Sequence, residues 1–353
     1  MKCCEETRLD LVIDRSSRDG FSRRSLIRGA AGVAGLSVAA GLTGARAQGA
    51  GKPIKLAFCS QLLCVVPYEV TRAEGFFANE GLDVELVYTR GGNAAMQALV
   101  GGAVDFAATS FDVAVQAFAN GADIRRFATT GRLPLFALAV APGQVDQLQS
   151  IKDLEGQTVG ISALGNADHT LLLFLLGQAG ADASSVRFAA LGPNMFEALR
   201  RGQVAAGMVQ EPALTLIVAD GGRVLFNAMD LKDAQNFLGG PYEFMGVAYR
   251  AAEREERLED MQGVARALAA GLKFQREAPV SKLRQALPSE LLVGGEGEQF
   301  DQIIAKYRGS LYPESVAIDV EACRRVVDSL RSSGALKQDV DLGVLLDTAV
   351  VPA

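Results

Sequence analysis

Histidine and cysteine are scarce in this chain. Of 353 residues one is histidine, His169, and five are cysteine. A zinc site draws four Cys, His or carboxylate ligands, so the pattern argues against a metal centre, and no cofactor is expected. Beyond the first residues only Cys59, Cys64 and Cys323 remain. A count that is odd and this low makes no disulfide framework. Cys59 and Cys64 either pair in an oxidising space or serve as small buried residues. A basic surplus is missing as well: 35 Lys/Arg face 41 Asp/Glu, for a formal net charge of −6. Residues 1–47 hold eight Lys/Arg against five Asp/Glu, which leaves −9 on the rest. An acidic surface argues against nucleic acid and anionic membrane as partners. The apolar stretch from Gly29 to Gly44 has 16 residues, short of the roughly 20 that a spanning helix needs.

What precedes and follows that stretch is informative. Ser22-Arg23-Arg24-Ser25-Leu26-Ile27-Arg28 comes before it, and the small-x-small sequence Ala45-Arg46-Ala47 closes it. Adjacent arginines, a weakly hydrophobic Gly/Ala run and such a site look like a twin-arginine export signal. Residues 1–47 are therefore set aside, the mature chain is expected to start near Gln48, and a periplasmic location follows. A retained membrane anchor is the alternative reading. No cysteine follows the run, so a lipid-anchored form is not expected.

About 300 residues remain, enough for one large domain or two lobes. Short β-type runs alternate with helical spacing: Ile54–Phe58 and Val84–Tyr88 read as strands, with a helix from about Pro67 to Asn79 between them. Strands follow at Val104–Ala107, Ile124–Thr129 and Leu135–Val140. The alternation restarts after Ala141-Pro142-Gly143, with strands at Gln157–Ile161, Val186–Ala190, Val204–Val209 and Arg223–Phe226. Such alternation means α/β architecture, with mixed sheets flanked by helices. Phe244–Arg250 reads as a further strand, expected to return to the first unit. The remainder is helical and is expected to pack on one of the two units. The division predicted is lobe 1 from 52–141 plus 242–353, and lobe 2 from 142–241, with two crossover segments serving as a hinge.

The order of motifs then becomes familiar. Arg72-Ala73-Glu74-Gly75-Phe76-Phe77 runs on through Gly81-Leu82-Asp83-Val84-Glu85, followed by Gly91-Gly92-Asn93 and Gly101-Gly102-Ala103-Val104-Asp105. Later come Ile151-Lys152-Asp153-Leu154, Gly202-Gln203-Val204 and Gln210-Glu211-Pro212. Over nearly all of residues 53–350 this closely resembles the solute-binding proteins of ABC importers for nitrate, sulfonates and taurine, a group that includes thiamine-pyrimidine-precursor binders. The resemblance implies a two-lobed (type II) periplasmic binding protein. It would be a monomer and no enzyme, capturing a small anionic or zwitterionic solute and delivering it to an inner-membrane ABC permease with its cytoplasmic ATPase. The alternatives are a sensory binding module and a Cys-dependent, desulfinase-like enzyme on the same fold.

In open α/β lobes, ligands bind beyond the carboxyl ends of strands, where helix N-termini favour an anion. Four corners qualify. Ser60 and Gln61 follow the first strand, Gly92 and Asn93 the second, and Thr109 and Ser110 the third. The fourth corner runs from Ser162 through Asn166 to His169. Each has a plain alternative as turn, cap or solvated loop. His169 is raised as a contact by resemblance to the taurine-binder stretch at the same helix start. Arg132 is a candidate charge partner, and Glu211 resembles a family element facing the cleft. A carboxylate there, with Asp112 nearby, suits a solute carrying an amine.

Overall fold

The computed structural model describes residues 53–292 and 297–351; the export signal expected from the sequence, with its cleavage site, falls outside them. Among the described residues ten strands form two sheets of five. The first sheet holds β1 (Ile54–Cys59), β2 (Val84–Thr89), β3 (Phe106–Ser110), β4 (Ile124–Thr129) and β10 (Met245–Arg250), in the order β2-β1-β3-β10-β4. The second holds β5 (Ala137–Val140), β6 (Thr158–Ile161), β7 (Arg187–Ala190), β8 (Ala206–Val209) and β9 (Arg223–Asn227), in the order β7-β6-β8-β5-β9. β1 pairs parallel with β2 and β3, and β6 with β7 and β8. β10 and β5 run antiparallel to both of their neighbours. Central strands covered on both faces are buried along their length rather than at alternate positions: Phe106-Ala107-Ala108-Thr109-Ser110 is buried at every position.

Helices α1 (Leu62–Ala73), α2 (Phe76–Asn79), α3 (Gly92–Val100) and α4 (Phe111–Ala119) accompany the first sheet. α5 (Ala167–Gln178), α6 (Met195–Arg200), α7 (Ala213–Ala219) and α8 (Leu231–Asp233) accompany the second. A helical segment ends the chain: α9 (Leu258–Glu277), α10 (Val280–Gln285), α11 (Gly297–Leu311), α12 (Val320–Ser332) and α13 (Leu342–Leu345). The protein is thus two-lobed, with mixed sheets flanked by helices and a helical C-terminal segment.

Two connections join the sheets, at residues 130–136 and 228–244. The first falls before Ala137, because the strand at 137–140 hydrogen-bonds to β8 and β9. The predicted boundary after Ala141 is therefore too late by one strand. The two connections are paired with each other: Thr130 and Gly131 N–H donate to the Met245 carbonyl at 2.7 and 3.0 Å, and Phe244 N–H to that of Gly131 at 3.0 Å. Gly131 suits this closeness, since a Cβ there would stand 3.1 Å from that of Met245 and press against it. Arg126, fully buried, donates to the carbonyls of Thr109 (2.9 Å) and Phe244 (2.8 Å) and to the Glu243 carboxylate (3.2 Å). Burial nevertheless pushes the Glu243 carboxyl up to about 7, against the pull of the guanidinium.

The first helix differs from expectation. It starts at Leu62 and runs through Pro67, where the sequence predicts a start. Proline lacks the N–H that would bond to the carbonyl four residues back. Here that carbonyl, Leu63, accepts from the Tyr312 hydroxyl at 3.1 Å, so the helix continues without an orphan acceptor. Its early start leaves only Ser60 and Gln61 between β1 and α1.

The terminal helices also differ. Rather than packing on one lobe, α12 lies against both α4 of the first and α5 of the second. Its buried face, from Ala322 and Cys323 through Val326 and Val327 to Leu330, follows helical spacing. α11 reaches across elsewhere: the Asn227 side-chain amide donates to the Tyr307 hydroxyl at 3.0 Å, and the Ser310 hydroxyl to the Met229 carbonyl at 2.8 Å.

Candidate functional site

The carboxyl ends of the parallel strands of both sheets meet at one cleft. Helices α1, α3, α4 and α5 begin there on Gln61, Gly91, Ser110 and Asn166, and all four residues line the cavity. None of the four closes its helix with a side-chain cap. The cavity volume is about 40 Å³. At roughly 10–15 Å³ for one water, that is room for a few waters. The lobes touch across it: the Thr170 hydroxyl of α5 donates to the Asp112 carboxylate of α4 at 3.1 Å, and the Gln116 side chain to the Gly165 carbonyl at 3.4 Å.

The helix starts are not alike. Neither α1 nor α3 has an acidic residue in its first turn. Just ahead of α3 sits Arg90, exposed, lining the cavity and without a hydrogen bond or ion pair among the described residues. α4 and α5 each carry a buried aspartate in the first turn. Asp168 accepts from the Ser162 backbone N–H at 2.5 Å and from its hydroxyl at 2.6 Å. Burial outweighs these bonds and pushes the Asp168 carboxyl up to about 6. Asp112 is raised too, again by burial, and its Oδ1 has no partner. Three amide oxygens in the lining are likewise buried without a partner: Gln61 Oε1, Asn166 Oδ1 and Gln210 Oε1. Buried acceptors left unmade cost about 1–3 kcal/mol each, so this wall is suited to a donor from outside.

Of the residues expected from sequence, Gln61, Gly92, Thr109, Ser110, Ser162 and Asn166 come together here. A Cβ at Gly92 would sit 3.5 Å from Val113 and 3.8 Å from the Ser110 hydroxyl, filling the space over them. The other five do not line the cavity. The Ser60 hydroxyl donates to the Thr89 carbonyl at 2.7 Å, tying the loop to β2. Asn93 faces a neighbouring groove between α3 and α4. Arg132 donates to the Ser310 and Gly309 carbonyls at 2.9 and 2.6 Å, at the C-terminal end of α11, where a cation is favoured. His169 accepts at Nδ1 from the Gly165 N–H at 3.1 Å and sets its ring edge-on to Phe188, and burial lowers its pKa. The Glu211 carboxylate turns back on its own chain, accepting from the Thr215 N–H and hydroxyl at 3.0 and 2.8 Å.

Sequence reasoning missed Arg90, Asp168, Gln210, Phe136 and Phe244 in the lining. Two of these carried a usable signal. Arg90 ends the loop between a strand and a Gly-Gly helix start, and Asp168 is the second residue of a helix facing a strand's carboxyl end. Cys59 and Cys64 also line the cavity, as free thiols rather than the disulfide held open above.

Comparison with known proteins agrees with the architecture. A family model described as NMT1/THI5 like matches residues 65–281, more than half of the chain. No curated protein matches its sequence. Among solved structures, a protein of Bordetella bronchiseptica RB50 is similar at 24% identity and TM-score 0.76, covering 84% of this chain and 95% of that one. The periplasmic aliphatic sulphonate binding protein SsuA of Escherichia coli is similar at 19% identity and TM-score 0.62, over 84% of this chain and 92% of its own. The periplasmic nitrate-binding protein NrtA of Synechocystis PCC 6803 is similar at 13% identity and TM-score 0.67, over 84% and 86%. At such identities the likeness is one of fold.

Proposed function

The chain belongs to the NMT1/THI5-like family, and from that premise we propose that it is the periplasmic solute-binding component of an ABC importer. It captures a small anionic or zwitterionic solute between the lobes and hands it to a membrane permease driven by a cytoplasmic ATPase. The observation that carries the reading is the division of the cleft. Acid-free helix starts with Arg90 stand on one side, and Asp168 with the unpartnered amide oxygens of Asn166 and Gln210 on the other. A sulfonate or carboxylate group fits the first side, where backbone N–H groups and the helix dipole favour negative charge. An amine or other donor fits the second. An aminosulfonate of the taurine kind satisfies both; a plain anion satisfies one.

Binding rather than catalysis suits the lining. A catalytic cysteine of the Cys-His kind needs an imidazole beside it, and the one imidazole, His169, lies outside the lining and holds the Gly165 N–H. The solute is held by closure: the paired connections at 130–132 and 242–245 bend, and Asp112–Thr170 latches the lobes. Calorimetry with taurine, ethanesulfonate and nitrate, followed by small-angle scattering of the chain with whichever binds, tests this. A smaller radius of gyration on binding is expected. A bound solute without compaction overturns closure, and binding of neutral solutes alone overturns the assignment.

A further inference from the structure

The wall of the cleft contains a second chemistry that solute capture does not use. Cys59 ends β1 and Cys64 stands in the first turn of α1, and both line the cavity with their thiols free. The third described cysteine, Cys323, is fully buried on the inner face of α12 and lines none of it. We propose that Cys59 and Cys64 are a peroxide-reactive dithiol that closes to a disulfide inside the cleft. The location rests on the cleft described above; the chemistry rests on the two side chains and needs no bound solute.

The cavity has about 40 Å³ of free space, room for a few waters in this arrangement of the lobes, so hydrogen peroxide, close to water in size, reaches the pair without the lobes parting. Cys59 is the attacking group. A hydrogen bond from Cys64 lowers its pKa against the effect of burial, while Cys64 is itself raised by the same bond. A thiolate is the reactive form, so the pair has a nucleophile and a resolving partner side by side. In the first step Cys59 Sγ attacks one peroxide oxygen and the O–O bond breaks. The released hydroxide takes the proton lost by the thiol and leaves as water, and Cys59 becomes a sulfenic acid. In the second step Cys64 Sγ attacks Cys59 Sγ and the S–O bond breaks. The departing hydroxide takes the Cys64 proton, giving a second water. Two thiols lose two electrons in total and one peroxide gains them. The closed loop, residues 59–64, contains Gln61, so oxidation acts on a residue of the solute site. An oxidising periplasm is a space in which such a bond persists.

The test is peptide mapping by mass spectrometry of the full chain after brief exposure to hydrogen peroxide. The expected product is a Cys59–Cys64 link with a loss of about 2 Da, reversed by a thiol reductant, while Cys323 stays free. In Cys64→Ala the Cys59 sulfenic acid persists and is trapped by a carbon nucleophile such as dimedone; in Cys59→Ala the Cys64 thiol stays reduced. Equal oxidation of Cys323, or an unreacted pair, overturns the proposal. Either result leaves solute binding untouched, since calorimetry on the reduced chain reads that separately.

Discussion

Helices α1 and α3 begin at the same cleft as α5, yet the two sets of starts are built for opposite charges. The first turns of α1 and α3 hold no acid, and Arg90 stands beside them. The first turn of α5 holds Asp168, buried and folded back on Ser162. Backbone geometry makes every helix start attractive to an anion. One buried carboxylate is enough to cancel that attraction and replace it with an acceptor. The same structural device, repeated in two lobes, therefore yields a cleft with a negative-seeking and a positive-seeking wall.

Removing the cation breaks the comparison most strongly. Arg90→Gln is expected to weaken binding of any sulfonate roughly 10- to 100-fold by calorimetry, the worth of a hydrogen bond to a charged group. The melting temperature of the free chain should hardly change, because Arg90 is exposed and makes no hydrogen bond or ion pair among the described residues. Equal loss in the Tm would assign Arg90 to the fold instead.

Neutralising the opposite wall sharpens it. Asp168→Asn should weaken an aminosulfonate by about tenfold, near 1.4 kcal/mol, and leave an amine-free sulfonate of similar size within a factor of a few. In the unaltered chain, aminosulfonate affinity should fall as pH drops through about 6, where Asp168 takes up its proton. A parallel fall for both solutes would show that the walls do not differ in the way described.

The smallest effect is on stability. Glu243 and Asp168 have folded values of about 7 and about 6, above those of unfolded carboxyls near 4. Their stabilising protonation is complete below the unfolded values and is lost as pH rises through 6 and 7. The free chain should melt a few degrees lower at pH 8 than at pH 5.5, at about 2–4 °C per kcal/mol for a chain of this order of size. Glu243→Gln should flatten that slope; a Tm that rises over the same interval would contradict it.

Much of this was legible in the residues. The strand–helix alternation, the four corners and the return of β10 to the first sheet follow from spacing and turn chemistry. Two things were not. Pro67 reads locally as a helix start, and only Tyr312, 245 residues later, supplies the hydroxyl that lets the helix run through it. The sheet to which Ala137–Val140 belongs depends on antiparallel pairing with residues 66 or more positions away, Val140 with Ala206 being the nearest pair. Arg90 and Arg132 each adjoin a glycine near a strand end, and the sequence reading chose Arg132 and passed over Arg90. Their roles separate only because α11 ends against Arg132 and its last carbonyls take the guanidinium.

The most direct measurement is a crystal structure of the chain with a captured sulfonate or aminosulfonate. The negative group should lie against the first N–H groups of α1 and α3 and the Arg90 guanidinium, with any amine turned toward Asp168 and Gln210. A sulfonate seated instead on the Ser162–Asp168 wall, with Arg90 facing solvent, would contradict the account.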